Sequence, residues 1–437
     1  MSTTKPNVVI VGAGLAGLLL SLLLERAGIP YNIYERATKV KPLGSALGLG
    51  ANILPIFEQL GLLDQLMKIA LPCPGINFYD QNLSPMGGFD ISKYKENTGY
   101  DFIMLARRDL YDLLLSQVPA ERIHMNKKIT ATEQSSQGVS ITCSDGTIYR
   151  GDILVGADGA HSAVRLGLYT ELNEKGSLPK SDLEPMSIGY MCLVGTTDEL
   201  DAKAYPALQD PFTHFSRVLG NGPLAFYTVT VPGNRVCWGA LVQLDSSTVL
   251  SRDVTSLKNA EWGPESNEAM INEIYDRPCR LGCTMGALTD ATPKDGISRV
   301  FLEEKIFETW YHNRTVLIGD GATNAMQDAI VLANAIYNLS SVTSEEITCA
   351  LKLYHGQRYT LSKMHVEKSK SMAKLMNGTS WLEKAIRYVV FNWIPSGRRS
   401  EKVYQDTGYR PQACFLPLTE NRGTVAVLPQ SPTNPSK

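Results

Sequence analysis

The apolar positions in residues 7–34 predict a strand, a tight turn, a helix and a second strand. Residues 7–11 form a largely β-branched run, and residues 18–27 repeat apolar positions at helical spacing. Residues 29–34 return to a strand-like pattern. Runs of β-branched residues favour strands, whereas apolar positions that recur every three to four residues favour an amphipathic helix. This order predicts a βαβ unit.

Similar patterns continue along the chain. Helices are predicted at 53–60, 62–69, 110–117, 265–275 and 324–339, and strands at 76–90, 128–133, 138–143, 147–150, 152–156, 226–231, 235–242 and 315–320. Residues 43–50 are rich in glycine, so an irregular loop is predicted there. The Pro-rich residues 411–437 are predicted to be extended and partly disordered. The fold class predicted is α/β: a Rossmann-like domain with an inserted mixed β-sheet domain and a C-terminal helical tail.

Composition and charge narrow the class of protein. The chain has 437 residues, of which 43% are hydrophobic and 20% charged, and its formal net charge is −2. No basic field therefore indicates a nucleic-acid partner. The eight cysteines include no C-x-x-C pair and no zinc-ligand spacing, so no metal site is predicted. Cys279 and Cys283, the closest pair, are interpreted as small buried residues of a reducing compartment. Because no signal-peptide pattern is present, we expect a cytoplasmic location.

The turn after the first strand carries a dinucleotide-binding fingerprint. Gly12, Gly14 and Gly17 occupy the three positions of G-x-G-x-x-G, and Glu35 ends the second strand about 20 residues later. The first glycine allows the turn, the second lets the backbone approach a pyrophosphate, and the third permits close helix–strand packing. A carboxylate at Glu35 would accept hydrogen bonds from ribose hydroxyls. The alternative is a glycine-rich turn in an ordinary βαβ unit.

Three further motifs stand next to predicted strands: Arg107 with Leu110, Asp158-Gly159 with Arg165, and Gly319-Asp320. Arg107 lies at the start of a predicted helix, where the helix dipole does not favour a cation. An arginine in such a place more often serves an anion or a carbonyl edge than the helix itself. The alternative is that Arg107 is a solvated surface arginine.

With these motifs the chain resembles the class A flavoprotein monooxygenases, which have the para-hydroxybenzoate hydroxylase fold, and fungal members in particular. The resemblance extends over most of residues 7–340. It implies that the first motif binds the ADP half of FAD, that the Asp-Gly motif contacts FAD and NAD(P)H, and that the Gly-Asp motif holds the ribityl portion. The implied cofactor-binding residues are Gly12, Gly14, Leu15, Ala16, Gly17, Glu35, Arg36, Gly48, Arg107, Asp158, Gly159, Arg165, Gly319, Asp320, Gly321 and Ala322.

The resemblance also implies a reaction. One oxygen atom from O₂ would be inserted into a small organic substrate through a flavin C4a-hydroperoxide, with NAD(P)H as reductant. The cofactor supplies that chemistry, whereas the protein positions it and excludes water. No Ser/His/Asp set is visible, and no catalytic side chain is identified.

One feature departs from the family. Its members usually have about a dozen more residues after the Gly-Asp strand, whereas here Gly321, Ala322 and Thr323 alone separate Asp320 from Asn324. Losing that loop would remove backbone N–H groups from the flavin and open the site to water. Three hypotheses follow: an active monooxygenase, a flavoprotein that oxidises NAD(P)H without productive oxygenation, and a catalytically impaired protein that binds FAD weakly or not at all. Asn324 and Gln327 are predicted to form a helix capping box.

The chain is predicted to divide into six segments. FAD-binding parts are expected at 1–75, 102–185 and 299–360, substrate-sheet parts at 76–101 and 186–298, and C-terminal helices with an extended tail at 361–437. The substrate pocket is expected between the flavin and the second sheet, with Phe215, Phe226 and Tyr227 as candidate wall residues. An apolar lining would suit an aromatic or isoprenoid molecule.

Residues 381–399 suggest a contact with a membrane surface. Trp381, Trp393 and intervening apolar residues lie among basic residues, in a run too short to span a bilayer. Such an amphipathic helix could rest peripherally on a membrane surface. The alternative is a helix packed on the body of the protein.

Overall fold

Strands and helices alternate at the start of the chain and strands dominate its middle. The computed structural model describes residues 5–40, 44–220, 222–244, 264–319, 321–378 and 380–430. The strands are β1 Val8–Val11, β2 Tyr31–Tyr34, β3 Ala46–Leu49, β4 Leu71–Pro72, β5 Gly75–Asp80, β6 Pro85–Asp90, β7 Ile103–Ala106, β8 Ile123–His124, β9 Ile129–Gln134, β10 Val139–Cys143, β11 Ile148–Gly151, β12 Ile153–Gly156, β13 Ser187–Thr196, β14 Phe215–Leu219, β15 Leu224–Val231, β16 Arg235–Gln243, β17 Ser298–Glu304, β18 Tyr311–His312 and β19 Thr315–Leu317.

Helices connect and cover these strands. They are α1 Leu15–Ala27, α2 Leu54–Gln59, α3 Leu63–Lys68, α4 Tyr94–Thr98, α5 Arg107–Leu115, α6 Ala163–Glu174, α7 Lys180–Leu183, α8 Pro264–Ile274, α9 Met285–Asp290, α10 Ala322–Tyr337, α11 Ser344–Asn377, α12 Trp381–Asn392 and α13 Ser396–Gln405. Within the part of the chain that the structure describes, no helix is both long and apolar enough to cross a membrane.

The Rossmann-like half is built on a six-stranded sheet of order β18-β19-β12-β1-β2-β8. In β1, Val8 and Ile10 point into the core formed with α1 and α10, whereas Val9 and Val11 point into a second core with α6 and the β9–β11 sheet. Such continuous burial explains the unbroken apolar run, because a parallel strand covered on both faces needs no polar side. The predicted α/β fold is confirmed.

A seven-stranded sheet of order β17-β13-β16-β15-β14-β5-β6 forms the second half. One face packs against α8 and α9 through a core that includes Leu193, Phe226 and Trp238. The opposite face packs in part against β7, through Val229 and Cys237. The alternation seen in the sequence therefore separates two faces with different neighbours.

Two local predictions are wrong. Residues 46–49 were expected in an irregular loop, but they form β3, which pairs with β7. A Cβ at the position of Gly48 would lie 2.7 Å from the Phe102 ring. The strand can approach the ring this closely because residue 48 is a glycine. The predicted capping box is also absent from α10, which begins after Gly321 with Asn324 already inside its first turn.

A buried ion pair ties α10 to the end of β19. Asp328 Oδ1 accepts a hydrogen bond from Arg358 Nε at 2.5 Å, and both side chains are fully buried. The other carboxylate oxygen of Asp328 accepts from the backbone N–H of Gly319 at 3.0 Å. The pair therefore determines where the strand end lies relative to the helix.

We expect Arg358→Met to lower the free energy of unfolding by about 3–5 kcal/mol, because it leaves the Asp328 carboxylate buried without its partner. The measurement is urea unfolding followed by circular dichroism. Lys95→Met is the matched control, since the pair that Lys95 forms with Asp101 is largely exposed and should contribute less than about 1 kcal/mol. Equal effects of the two substitutions would contradict the role given to Arg358.

Candidate functional site

The glycine-rich turn between β1 and α1 meets the end of β12. Gly12 has a φ of 104°, and a Cβ there would lie 2.5 Å from the carbonyl oxygen of Ala157. A Cβ at Gly17 would lie 2.1 Å from the carbonyl oxygen of Gly12. Around Gly14, by contrast, an added Cβ meets nothing within 4 Å. Gly12 and Gly17 therefore serve the packing, whereas Gly14 faces open space.

The start of α1 has the properties of an anion site. Gly14 precedes the helix and has no side chain with which to cap its first N–H groups. The first turn of the helix holds no acidic residue. The first N–H groups of a helix lack intrahelical partners, and the helix dipole favours negative charge beside them. Leu15 and Ala16 supply two of these N–H groups. The turn can therefore hold a phosphate.

Glu35 is fixed beside the same turn. Its Oε2 atom accepts a hydrogen bond from the backbone N–H of Ala13 at 2.9 Å, and its Oε1 atom accepts from that of Ala37 at 2.9 Å. These bonds hold the carboxylate at the carboxyl end of β2, and its remaining lone pairs can accept further hydrogen bonds. Arg36 follows as an exposed residue.

The Asp-Gly motif organises the start of α6. Asp158 accepts hydrogen bonds from Ser162 Oγ at 2.5 Å and from the backbone N–H of Ala163 at 2.7 Å. Burial raises the pKa of the Asp158 carboxyl, and these hydrogen bonds act in the opposite direction. Gly159 follows with a φ of 74°. The Arg165 guanidinium carbon lies 4.3 Å from the centre of the Phe307 ring.

Arg107 is the first residue of α5 and directly follows β7. Its backbone N–H donates to the carbonyl oxygen of Ser45 at 2.9 Å. A Cβ at Gly44 would lie 3.0 Å from Arg107 Cδ, so the arginine side chain lies against this glycine. The Arg107 position at a helix start agrees with the sequence prediction.

A cleft with a cavity volume of about 90 Å³ lies between the start of α6, the residues after β17 and the packed helices α10 and α11. Predicted site residues Gly159, Arg165 and Gly319 line it, together with Asn324. Asp320 lies outside the described residues. Gly321 directly precedes α10 and Ala322 is its first residue, so that residues 318–321 separate β19 from α10.

Two residues of the predicted capping box have other partners. Asn324 Oδ1 is 2.7 Å from Nδ1 of His365, and Gln327 Nε2 donates to the carbonyl oxygen of Asn52 at 2.9 Å. The side chains therefore join α10 to α11 and to the segment before α2.

The face of the large sheet opposite α8 and α9 carries a residue that sequence reasoning missed. Arg217 on β14 lies directly across from Tyr227 on β15. Its Nη2 atom donates to Asn377 Oδ1 at 2.8 Å, whereas its buried Nε atom has no hydrogen-bond partner among the described residues. The available signal was a single arginine within an alternating apolar strand.

The candidate wall residues divide between the two faces. Phe215 and Tyr227 share the Arg217 face, with ring centres 6.1 Å apart. Phe226 points instead into the core with α8 and α9, so its prediction as a wall residue is wrong. Strand alternation fixes which residues share a face, but the partner of each face depends on the tertiary fold.

We expect Gly17→Ala to lower the free energy of unfolding by about 3 kcal/mol or more, because the added methyl group overlaps the carbonyl oxygen of Gly12. Gly14→Ala should cost about 1 kcal/mol or less, since its Cβ enters open space and only an N-cap preference is lost. Thermal and urea unfolding of the two proteins without added ligand measure the difference. A loss of stability in Gly14→Ala as large as that in Gly17→Ala would show that the turn packs differently.

Comparisons with known proteins agree with this geometry. Residues 5–358 match the FAD binding domain family. The chain is 28% identical over 446 residues to the FAD-dependent monooxygenase ausM of Penicillium brasilianum, with 96% of this chain and 89% of that protein covered. It is 29% identical over 359 residues to the FAD-dependent monooxygenase nvfK of Aspergillus novofumigatus, with 78% and 73% covered.

Solved structures share the fold. HpxO of Klebsiella pneumoniae, complexed with FAD and uric acid, superposes with a TM-score of 0.73 at 20% identity, over 93% of this chain and 97% of that one. The p-nitrophenol 4-monooxygenase PnpA of Pseudomonas putida gives a TM-score of 0.69 at 17% identity, over 93% and 98%. The predicted cofactor FAD and the predicted enzyme class are confirmed. The chain belongs to the FAD binding domain family and is an FAD-dependent monooxygenase.

Proposed function

We propose that this FAD-dependent monooxygenase transfers one oxygen atom from O₂ to a small apolar or aromatic molecule, with NAD(P)H as the reductant. The observation that carries the proposal is the start of α1, where Gly14 faces open space beside N–H groups that no described side chain caps. An anionic dinucleotide fits such a helix start, and the Glu35 carboxylate stands where a ribose would follow.

The residues present fit FAD. Gly12, Gly14, Leu15, Ala16 and Gly17 would hold its pyrophosphate. Glu35 and Arg36 would contact the adenosine of FAD. The residues proposed to contact the rest of FAD are Gly48, Arg107, Asp158, Gly159, Arg165, Gly319, Asp320, Gly321 and Ala322. When bound and reduced by NAD(P)H, FAD supplies the activation of O₂. The protein positions the substrate and excludes water.

The same proposal includes the division of the chain. Segments 1–75, 102–185 and 299–360 would bind FAD, and segments 76–101 and 186–298 would form the substrate part. The strand pairing supports moving residues 299–304 to the substrate part, because β17 is the edge strand next to β13.

For Gly14→Ala we expect a protein that folds but binds FAD at least about tenfold more weakly, because the methyl group occupies the approach of the pyrophosphate. Absorbance near 450 nm after gel filtration measures bound flavin. The wild-type protein loaded with FAD should consume NAD(P)H in a substrate-dependent way and transfer one atom of ¹⁸O₂ to the product.

Other outcomes separate the alternatives. NAD(P)H consumption with stoichiometric H₂O₂ and no labelled product would favour a flavoprotein without productive oxygenation, an alternative that the short connection 318–321 keeps open. A colourless wild-type protein that takes up no added FAD would overturn the proposal altogether.

The Arg217 face supports a substrate with an acidic oxygen. A carboxylate, phenolate or enolate on an otherwise apolar molecule would pair with the Nε atom of Arg217 that has no partner among the described residues. Tyr227 and Tyr190 lie near this guanidinium, and burial lowers its pKa. Hydrogen bonds to charged groups in such surroundings are strong and selective.

We expect Arg217→Gln to raise KM about 10–100-fold with bound FAD unchanged, which corresponds to the loss of roughly 1.5–3 kcal/mol from a charge-assisted hydrogen bond. Steady-state NAD(P)H oxidation with a substrate found by screening measures the effect. Arg299→Gln is the matched control, because Arg299 pairs with Leu193 in register and so lies on the opposite face of the sheet. An unchanged KM in Arg217→Gln would remove this residue from substrate binding.

We also propose that α12 contacts an anionic membrane surface. Its inner side is buried through Arg387 and Phe391, whereas Trp381 and Trp393 are 79% and 75% exposed. Residues 361–402 contain nine Lys or Arg and three Glu, although the whole chain has a net charge of −2. An apolar face with tryptophans and basic neighbours matches the interface of an anionic bilayer.

We expect the FAD-loaded protein to sediment with vesicles that contain 30% phosphatidylserine. The double variant with Trp381→Ser and Trp393→Ser should bind these vesicles at least about tenfold more weakly, because it has no indole to place at the membrane interface. Leu166→Ser is the control, since Leu166 is 70% exposed on α6, a different helix. Absence of wild-type binding at low salt would sink the membrane proposal while leaving the monooxygenase proposal untouched.

A further inference from the structure

Two cysteine sulfur atoms meet in a tight turn between α8 and α9. The Sγ atoms of Cys279 and Cys283 are 3.4 Å apart. The backbone N–H of Cys279 donates to the carbonyl oxygen of Cys283 at 2.9 Å, and Gly282, with a φ of 85°, donates its N–H to the carbonyl oxygen of Cys279 at 3.2 Å. These two bonds close the turn and place both thiols on the same side of it.

The turn is also a favourable place for a thiolate. The hydrogen bond between the Cys279 and Cys283 sulfur atoms lowers the pKa of Cys279 below its ordinary value, and backbone N–H groups of Leu281 and Cys283 act in the same direction, whereas burial opposes them. The same hydrogen bond raises the pKa of Cys283, because that thiol keeps the shared proton. A lowered pKa favours the thiolate, which is the nucleophilic form of a cysteine.

The other cysteines lack this arrangement. Burial raises the pKa of Cys73 to about 11, and burial raises the pKa values of Cys192 and Cys237 to about 12. Cys349 is exposed and has no second thiol beside it among the described residues. The pair in the turn is the place where a two-thiol reaction has both partners at hand.

We propose that Cys279 and Cys283 form a redox-active dithiol that hydrogen peroxide closes to a disulfide. The Cys279 thiolate attacks one peroxide oxygen, the O–O bond breaks, and hydroxide leaves and is protonated to water. Cys279 is then a sulfenic acid. The Cys283 sulfur attacks it, the S–S bond forms, the S–O bond breaks, and the second oxygen leaves as water. The dithiol loses two electrons, and one H₂O₂ becomes two H₂O.

The geometry suits this reaction. A disulfide requires sulfur atoms about 2.05 Å apart, so a small approach of two side chains within one turn is sufficient. Cys279 is itself buried, at 3% exposed, whereas Cys283 beside it is only partly buried, so H₂O₂ would reach the Cys279 sulfur past Cys283. Thr284 follows directly and caps α9 through its side chain, so closure of the pair acts at the start of that helix.

Trypsin offers a direct test because it cleaves after Arg280, between the two cysteines. The reduced, FAD-loaded protein is treated at pH 7 with a small excess of H₂O₂, blocked with iodoacetamide and digested without reductant. We expect the peptide that ends at Arg280 to remain joined to the peptide that begins at Leu281, and dithiothreitol to separate them. Cys349, which has no second thiol beside it among the described residues, should remain outside the disulfide under the same conditions.

Single substitutions assign the two roles. In Cys283→Ser the sulfenic acid on Cys279 should persist and react with dimedone, whereas Cys279→Ser should leave Cys283 fully alkylated. Cys349→Ser is the matched control and should leave the linked peptides unchanged. Full alkylation of both cysteines in the peroxide-treated wild-type protein, or a disulfide that joins either one to a different cysteine, would overturn the proposal. The wild-type digestion decides this even where a variant folds poorly.

Discussion

The close contact between the glycine-rich turn and the end of β12 is the constraint on which the nucleotide-binding half depends. A Cβ at Gly12 would lie 2.5 Å from the carbonyl oxygen of Ala157 and 2.9 Å from Cα of Asp158. Two motifs that are distant in sequence are thus adjacent in space, because β1 and β12 pair in parallel. Parallel strands present their carboxyl ends, and the helix starts that follow them, at one edge of the sheet.

The third motif is positioned by a different interaction. Burial raises the pKa of Asp328 even though the Arg358 guanidinium beside it acts in the opposite direction. The cost of removing both charges from water therefore competes with their attraction, so the pair contributes more to geometry than to stability. Its effect is to hold the Gly319 N–H and the start of α10 at one end of the cleft that Arg165 also lines.

The two faces of the large sheet differ in the residues that they carry and in the elements that cover them. The side toward α8 and α9 is closed by Leu193, Phe226 and Trp238, and it is apolar throughout that core. The other side bears Arg217, whose desolvation is unfavourable for stability alone. A charged side chain in such a place is more readily explained by a ligand than by the fold, which is the basis for the proposed acidic oxygen of the substrate.

The sequence by itself determined the βαβ unit, the turn at Gly12, Gly14 and Gly17, the acid at Glu35 and a helix close to Arg107, although it placed that helix at 110–117 and the structure begins it at Arg107. These features depend on local rules: hydrophobic period, glycine where a Cβ cannot fit, and charge beside a helix start. The cofactor FAD and the monooxygenase class were implied by the resemblance to the class A flavoprotein monooxygenases that these motifs carry, and the comparisons confirm both.

Only the tertiary structure decided which face Phe226 occupies, that residues 46–49 pair with β7, and that Asn324 contacts His365 instead of capping α10. It also brought Arg217 to Asn377 and the sulfur of Cys279 to that of Cys283. Alternation and spacing specify which residues of one element share a side, but they contain no information about the element that covers that side. That information lies in long-range packing, where strands and helices far apart in the chain compete for the same apolar surface.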